Sequence, residues 1–185
     1  MTEDVVKDAE ERMKKAIEVL HRELLTIRTG RASPALIDRM NVEYYGTPMP
    51  LNQLATISAP EPRMLVVQPW DKGALSVIEK ALQKSEMGFN PSNDGQVIRI
   101  PIPPLTEERR REMVKLVKHK VEDGRVALRN VRRDALHHLK EMENEKMISE
   151  EEHKRASEKL DELVHKFTRE AEHIGDAKEA EVLEV

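Results

Sequence analysis

Apolar residues recur at steps of three and four along three stretches of the chain, the spacing that places side chains on one face of an α-helix. The stretches span residues 2–29, Thr106 to Asn144, and the segment that follows Ser149. We therefore predict three long helices, each presenting one apolar stripe to the other two. The stripe of the second helix consists of Met113, Val117, Val121, Gly124, Leu128, Val131, Ala135 and Met142.

Polar residues and a glycine mark the ends of these helices. Two glutamates follow Thr106, so Thr106 is placed to cap the second helix with carboxylates in its first turn. Ser149 and Glu152 have the spacing of a capping box at the start of the third helix. Gly30 stands where a left-handed residue would close the first helix.

The pattern between residues 40 and 104 changes to short runs rich in β-branched and aromatic residues. The proline pair at 60 and 62 is expected to separate two strands, and residues 90–95 are expected to form a loop. The runs that predict strands are Val42–Tyr45, Leu54–Ile57, Leu65–Val67 and Val97–Ile102.

One amphipathic run lies among these predicted strands. It covers residues 73–87 and predicts a helix, with Asp71 as its cap and Gly88 as its end. The segment as a whole is therefore predicted to be a compact α/β module.

Together these patterns predict an α+β fold with two domains. Residues 1–30 and 106–185 would form a long antiparallel three-helix bundle, and residues 31–105 a small α/β domain inserted between the first two helices. Two short segments would cross the boundary and act as a hinge. The predicted hinge residues are Gly30, Arg31, Pro103, Pro104 and Leu105.

The charges of the 185-residue chain are segregated, although the formal net charge is only −4. Residues 109–133 contain ten Lys or Arg and three Asp or Glu, whereas residues 143–185 contain seven and fourteen. A basic segment and an acidic segment therefore share one chain. The sequence has no cysteine, no apolar run of membrane-spanning length and no signal-peptide pattern. We therefore expect a cytoplasmic protein without disulfides or membrane contact.

Basic residues of the second helix fall on one side of it, and arginine suits bidentate contact with phosphate. Acidic neighbours are few between Arg125 and Arg133, and aromatic residues that would stack on bases are absent from this helix. The pattern favours recognition of an RNA backbone by shape. The alternative is the solvated, ion-paired face of a helical scaffold that binds only protein. Five residues fall within roughly 60° at about 100° per residue: Arg111, Lys118, Arg125, Arg129 and Arg132.

No pattern points to catalysis or to a bound cofactor. The seven glycines make no phosphate-binding loop, and no G-x-S-x-G nucleophile elbow occurs. The seven histidines lack metal-ligand spacing, so we expect them to be solvated and expect no metal site. An enzyme that uses Asp71 or Glu43 in a cleft of the α/β module is a further alternative, but no paired catalytic group supports it.

Five segments, taken in order, resemble the bacterial ribosome recycling factor family along the whole chain. Any one of them would be weak evidence, but their order and spacing together are specific. They are residues 27–32 (IRTGRA), 42–48 (VEYYGTP), 50–55 (PLNQLA), 104–110 (PLTEERR) and 129–135 (RNVRRDA).

The resemblance implies an L-shaped, monomeric translation factor that enters the ribosome after release of the finished chain. With the GTPase elongation factor G, such proteins split the ribosomal subunits, and their smaller domain swings about the hinge. The helical rod of the family lies against large-subunit ribosomal RNA. Carried over to this chain, the leading RNA contacts are Arg110, Arg129 and Arg132, with Arg125 and Arg133 beside them and Arg28 and Arg31 near the corner.

Overall fold

The structure is a computed structural model that describes residues 1–85 and 87–184. Its contacts divide the chain into two compact units: a helical unit, Met1–Leu24 with Glu112–Val185, and a mixed unit, Leu25–Arg111. The helices are α1 (Thr2–Leu25), α2 (Leu75–Lys84), α3 (Glu107–Asn144) and α4 (Glu150–Leu183). The strands are β1 (Asn41–Tyr44), β2 (Thr47–Pro50), β3 (Ala55–Glu61), β4 (Met64–Pro69), β5 (Ser92–Asn93) and β6 (Ile98–Pro101). Within the described residues, no helix is both long and apolar enough to cross a membrane.

In the helical unit, α3 runs antiparallel to both α1 and α4. Ion pairs join Arg12 to Asp134 and Glu23 to Lys120, so residue numbers rise along α1 as they fall along α3. The short connection of residues 145–149 then turns α4 back along α3. The predicted antiparallel three-helix arrangement is therefore present.

The predicted apolar stripes form the core of the helical unit. In α3, Met113 is half-buried and the other seven predicted positions are buried, together with Leu139, which the prediction omitted. Buried residues of α1 and α4 complete the core: Ala9, Met13, Ile17, Leu20, Leu24, Ala156, Leu160, Phe167, Ala171, Gly175 and Val182.

Two glycines allow the helices of this unit to approach closely. A Cβ on Gly175 of α4 would lie 2.5 Å from Cγ2 of Val121 on α3, closer than carbon atoms approach without a shift. A Cβ on Gly124 of α3 would lie 3.3 Å from Cδ2 of Leu20 on α1, the end of a flexible side chain. The α3–α4 contact therefore requires glycine at position 175 more strictly than the α1–α3 contact requires glycine at position 124.

The mixed unit consists of the β1–β2 hairpin, a four-stranded antiparallel sheet with strand order β3-β4-β6-β5, and α2. In the sheet, Leu65 pairs with Ile100 and Val67 pairs with Ile98, and all four side chains are buried. They belong to one apolar cluster with the buried face of α2. Alternation along the strands and helical spacing along α2 therefore build a single core.

Two predicted helix caps are confirmed. The Thr106 hydroxyl accepts a hydrogen bond from the Arg109 backbone N–H at 3.1 Å. Helix α3 begins at Glu107, directly after this cap. Ser149 and Glu152 form the predicted capping box at the start of α4. These ends could be located from sequence because each cap is a bond between residues three apart.

Two helix ends differ from the prediction. Helix α1 ends at Leu25 rather than at residue 29, so Gly30 adopts the predicted left-handed conformation (φ +82°) without closing the helix. The reason lies in the mixed unit, which contains residues 25–30. There Ile27 is buried, and Arg28 donates a hydrogen bond to the backbone oxygen of Met87 at 3.1 Å.

Helix α2 is shorter than predicted. The Asp71 carboxylate accepts from the Gly73 N–H at 3.0 Å and caps a 3₁₀ turn, Lys72–Ala74, that leads into α2. The helix then ends at Lys84, before Gly88, which has a positive φ but does not close the helix. Glu86, within the predicted range, lies outside the described residues.

The strand predictions were wrong where proline was treated only as a separator. Pro60 lies inside β3, which is an edge strand and has a bulge between Ser58 and Glu61. The unpredicted strand β2 contains two prolines and belongs to a two-stranded sheet, in which each strand is an edge. Edge positions accept proline because its missing N–H has no strand to face. The predicted loop over residues 90–95 also contains the short strand β5.

Boundaries between the two units are displaced from the expected positions. The contacts divide the chain after Leu24 and after Arg111, whereas the sequence led us to expect hinges near residues 30–31 and 103–105. All five predicted hinge residues fall within the mixed unit, where a Cβ on Gly30 would lie 3.3 Å from the Leu105 backbone nitrogen and 3.8 Å from the Pro104 Cα. The hinge itself stays a prediction.

Candidate RNA-binding surface

Three arginines on the outer side of α3 form a row, here called the arginine row: Arg125, Arg129 and Arg132. Steps of four and three residues place them on one side of the helix. Their side chains are 31%, 57% and 42% exposed, so none is turned into the core. The guanidinium groups therefore reach solvent along about two turns of α3.

Glu122 lies one turn before the row and bonds two of its members. Oε1 accepts from Nη2 of Arg129 at 2.9 Å, and Oε2 accepts from Nη1 of Arg125 at 3.1 Å. These hydrogen bonds, first that from Arg129 and then that from Arg125, hold the pKa of Glu122 below its usual range. Glu122 is thus an ionised acceptor at neutral pH.

Carboxylates of α4 also form ion pairs with the arginine row. Arg125 donates through Nη2 to Glu172 at 3.1 Å, and Arg132 donates through Nε to Asp161 at 2.6 Å. The hydrogen bond to Glu122, supported by the one to Glu172, raises the pKa of Arg125 above its ordinary value. The basic segment and the acidic segment of the sequence therefore meet at this edge of α3 and α4.

These ion pairs are at the surface, where a pair contributes only about 0.2–1 kcal/mol to stability. A guanidinium group has five N–H donors, and Arg132 pairs with Asp161 through Nε alone. Donors therefore stay available for a phosphate, and a pair can be exchanged at small cost. The row can bind phosphate, but only in competition with its own carboxylates.

The other predicted RNA contacts lie in different environments. Arg133 is exposed and Arg110 is half-buried, and neither makes an ion pair within the described residues. Arg31 is exposed in the mixed unit. Arg28 instead binds the Met87 oxygen and lies 5.7 Å from the centre of the Phe89 ring, which gives it a structural role.

Sequence reasoning missed the acidic partners of the row. The pair of Glu122 with Arg125 has the i, i+3 spacing of helix neighbours and could have been found from the sequence. The partners on α4 lie 29 and 47 residues away along the chain, so their pairing depends on how the helices pack. The scarcity of acidic residues between Arg125 and Arg133 therefore did not indicate unpaired arginines.

Asp71, considered above as a catalytic candidate, is held as a hydrogen-bond acceptor. It accepts from the Tyr44 hydroxyl and from the Gly73 N–H, and these bonds lower its pKa. The same bond to Asp71 raises the pKa of Tyr44 to about 12. Both shifts oppose proton transfer at neutral pH, since the acid stays ionised and the phenol stays protonated. Glu43, the other candidate, is exposed on β1.

The sequence matches a known protein family over most of its length. The family model described as "Ribosome recycling factor" matches residues 20–183, which include the arginine row and the whole mixed unit. The chain belongs to the ribosome recycling factor family. Relatives named "Ribosome-recycling factor" include those of Roseiflexus sp. (strain RS-1), 58% identical, and Carboxydothermus hydrogenoformans, 56% identical. Each match covers 185 residues and all of both chains.

Solved structures of ribosome recycling factors share the fold. A solution structure of a ribosome recycling factor is 47% identical, with a TM-score of 0.79 over 100% of this chain and 98% of that one. A second match, with a TM-score of 0.69, 47% identity and 100% of both chains covered, comes from models for the T. thermophilus ribosome recycling factor and the E. coli elongation factor G bound to the E. coli post-termination complex. The helices and the inserted sheet described above are thus the fold of the ribosome recycling factor family.

Proposed function

We propose that this chain is a translation factor that binds the post-termination ribosome and, with elongation factor G, promotes splitting of the subunits. The observation that carries the proposal is full-length relatedness, at 51–58% identity, to proteins named ribosome-recycling factor. A solved relative that assembles with elongation factor G and the post-termination complex supports the choice of partners. The chain would act as a monomer in the cytoplasm and would perform no chemistry of its own.

The arginine row, with Arg133 beside it, would form the principal contact with large-subunit ribosomal RNA. A rigid helix that presents guanidinium groups along two turns suits a fixed array of phosphates. Arg110 and Arg31 would add contacts, whereas Arg28 would support the contact indirectly by fixing the segment before Gly30.

The mixed unit would move about the segments that contain Gly30, Arg31, Pro103, Pro104 and Leu105. GTP hydrolysis would belong to elongation factor G, and the motion would pass its effect to the contacts between the subunits. The positive φ of Gly30, and the 3.3 Å that would separate an added Cβ from the Leu105 backbone nitrogen, support a joint there that requires glycine.

Cosedimentation with purified large subunits tests the RNA contact. Arg129→Gln and Arg132→Gln should each weaken binding by about 1–3 kcal/mol and reduce the salt slope by about 1, because each removes a phosphate contact. Arg169→Gln is the matched control, since Arg169 is exposed on α4 and makes no ion pair within the described residues. Circular dichroism of each variant checks that the fold is intact.

The same experiment tests the alternative of a scaffold that binds only protein, which the ion pairs of the row also fit. Under that alternative, binding of the wild-type chain to ribosomes would be weak and insensitive to salt. Folded variants of Arg129 and Arg132 that bind as tightly as the Arg169 control would refute the assignment of the row.

A further inference from the structure

Each guanidinium group of the arginine row is already bound by a carboxylate. Glu122 binds Arg129 and Arg125 through separate oxygens, at 2.9 and 3.1 Å, and Asp161 binds Arg132 at 2.6 Å. Arg133, the next residue along α3, makes no ion pair within the described residues. The carboxylates therefore pair with the arginines of the row and not with every arginine nearby.

These carboxylate oxygens accept from guanidinium donors that a phosphate could otherwise use. A phosphate that approaches Arg132 either displaces Asp161 or binds the remaining guanidinium donors beside it, and in both cases the charge of the carboxylate repels it. Because the pairs are exposed, exchange is possible, but a single phosphate gains little by replacing one anion with another.

The outcome differs for an ordered array of phosphates. An RNA surface whose phosphates match the spacing of the row can replace several carboxylates in one binding event, with help from Arg133, which has no ion pair among the described residues. A flexible polyanion reaches only one or two groups at a time and meets the repulsion at each. Acidic groups on the row therefore penalise unmatched partners more than the matched one.

We propose that Glu122 and Asp161 determine the specificity of the RNA-binding surface. They hinder the binding of unrelated polyanions to the row, but ribosomal RNA displaces them. This role rests on the proposed ribosome contact. Both residues act through the arginines that they position, and neither need touch the RNA.

Two isosteric variants, Glu122→Gln and Asp161→Asn, remove the negative charge and keep the side-chain size. Affinity for poly(U), measured by fluorescence anisotropy at low salt, should rise roughly three- to tenfold in each variant, with a steeper salt dependence. Affinity for large ribosomal subunits should change by less than about threefold, so the ratio of the two affinities falls.

Glu158→Gln is the matched control. It makes the same change of net charge on an exposed position of α4 that has no ion pair within the described residues. A smaller gain in poly(U) affinity, less than about twofold, is expected, because Glu158 lies one turn from Asp161 on α4 but binds no arginine of the row within the part of the chain that the structure describes. Thermal melting of all three variants should stay close to wild type, since each removes only surface interactions.

Three results would overturn the proposal. The first is a gain in poly(U) affinity no larger than that of Glu158→Gln, and the second is an equal gain for poly(U) and for ribosomes. The third is a loss of ribosome affinity without any gain for poly(U), which would make the carboxylates structural supports. Failure of the proposed function has a different signature, because the wild-type chain itself would then bind ribosomes weakly and without salt dependence.

Discussion

At the scale of single residues, the Asp94 carboxylate organises the turn between β5 and β6. Its Oδ1 accepts from the Gln96 and Val97 N–H groups, each at 2.9 Å, and its Oδ2 accepts from Arg99 at 3.0 Å. The backbone bonds, that of Val97 first, lower the pKa of Asp94 from 3.8 to about 2. An acidic side chain thus holds a hairpin that has only a two-residue strand on one side.

We predict that Asp94 titrates with a midpoint of about 2 in carboxyl-detected NMR. Because the folded pKa is depressed, Asp94 stabilises the fold above the unfolded pKa near 4, and this contribution is lost as the pH falls through about 2. Arg99→Gln should leave the midpoint well below 3.8, since the backbone bonds are the larger cause. A midpoint that returns to 3.8 in this variant would show that Arg99 is the main cause instead.

At the scale of helices, the contact of Gly175 with Val121 sets how closely α4 approaches α3. Alanine usually stabilises a helix by about 1 kcal/mol relative to glycine, so a gain would be expected from propensity alone. Here the added methyl group would overlap Cγ2 of Val121 at 2.5 Å. We predict that Gly175→Ala lowers the free energy of unfolding by about 1–3 kcal/mol in urea denaturation.

Val121→Ala removes the obstructing methyl group, so a double-mutant cycle isolates the cause. In the Val121→Ala background, Gly175→Ala should be neutral or stabilising, because the next atom of residue 121, Cβ, is 3.7 Å away. Gly124→Ala serves as a second comparison and should cost less, since Leu20 can move the end of its side chain. Equal losses at Gly175 in both backgrounds would exclude the overlap as the cause.

Elements predicted from local bonds and long periodic patterns were located well. Helix α3 begins one residue after its predicted cap, Thr106, and ends at Asn144 as predicted, because a cap and an uninterrupted stripe are both properties of neighbouring residues. The end of α1 was missed because the apolar rhythm continues to Ile27, which is buried although the helix ends at Leu25. Periodicity shows that a residue is buried but not that the helix extends to it.

For the candidate site, the sequence predicted the position of the arginine row but not the ion pairs that its arginines make. The order and spacing of Arg125, Arg129 and Arg132 follow from helix geometry and could be predicted. Their pairing with Glu172 and Asp161 depends on the register of α4 against α3, to which the close approach at Gly175 contributes. A contact across helices has no local signal, so the competition between carboxylate and phosphate emerged only from the structure.

At the scale of the whole molecule, two units must stay intact while one moves relative to the other, if the proposed function is right. Gly30 is the residue of the proposed hinge with the clearest conformational demand, because it has φ +82° and a Cβ would lie 3.3 Å from the Leu105 backbone nitrogen. We predict that Gly30→Ala leaves the affinity for large subunits within about twofold of wild type, since the arginine row is untouched. Subunit splitting with elongation factor G and GTP, followed by light scattering, should slow several-fold.

Backbone strain alone could also slow splitting by destabilising the mixed unit, so the control must carry the same strain elsewhere. Gly95→Ala meets this need, because Gly95 has φ +91° with open space around its Cα. Both variants lose stability through a positive φ in a residue with a side chain, but only Gly30→Ala restricts the segment beside Leu105. Slower splitting in Gly30→Ala than in Gly95→Ala, at matched thermal stability, would locate the motion at residue 30. Equal rates in the two variants would refute residue 30 as a site of motion that splitting requires.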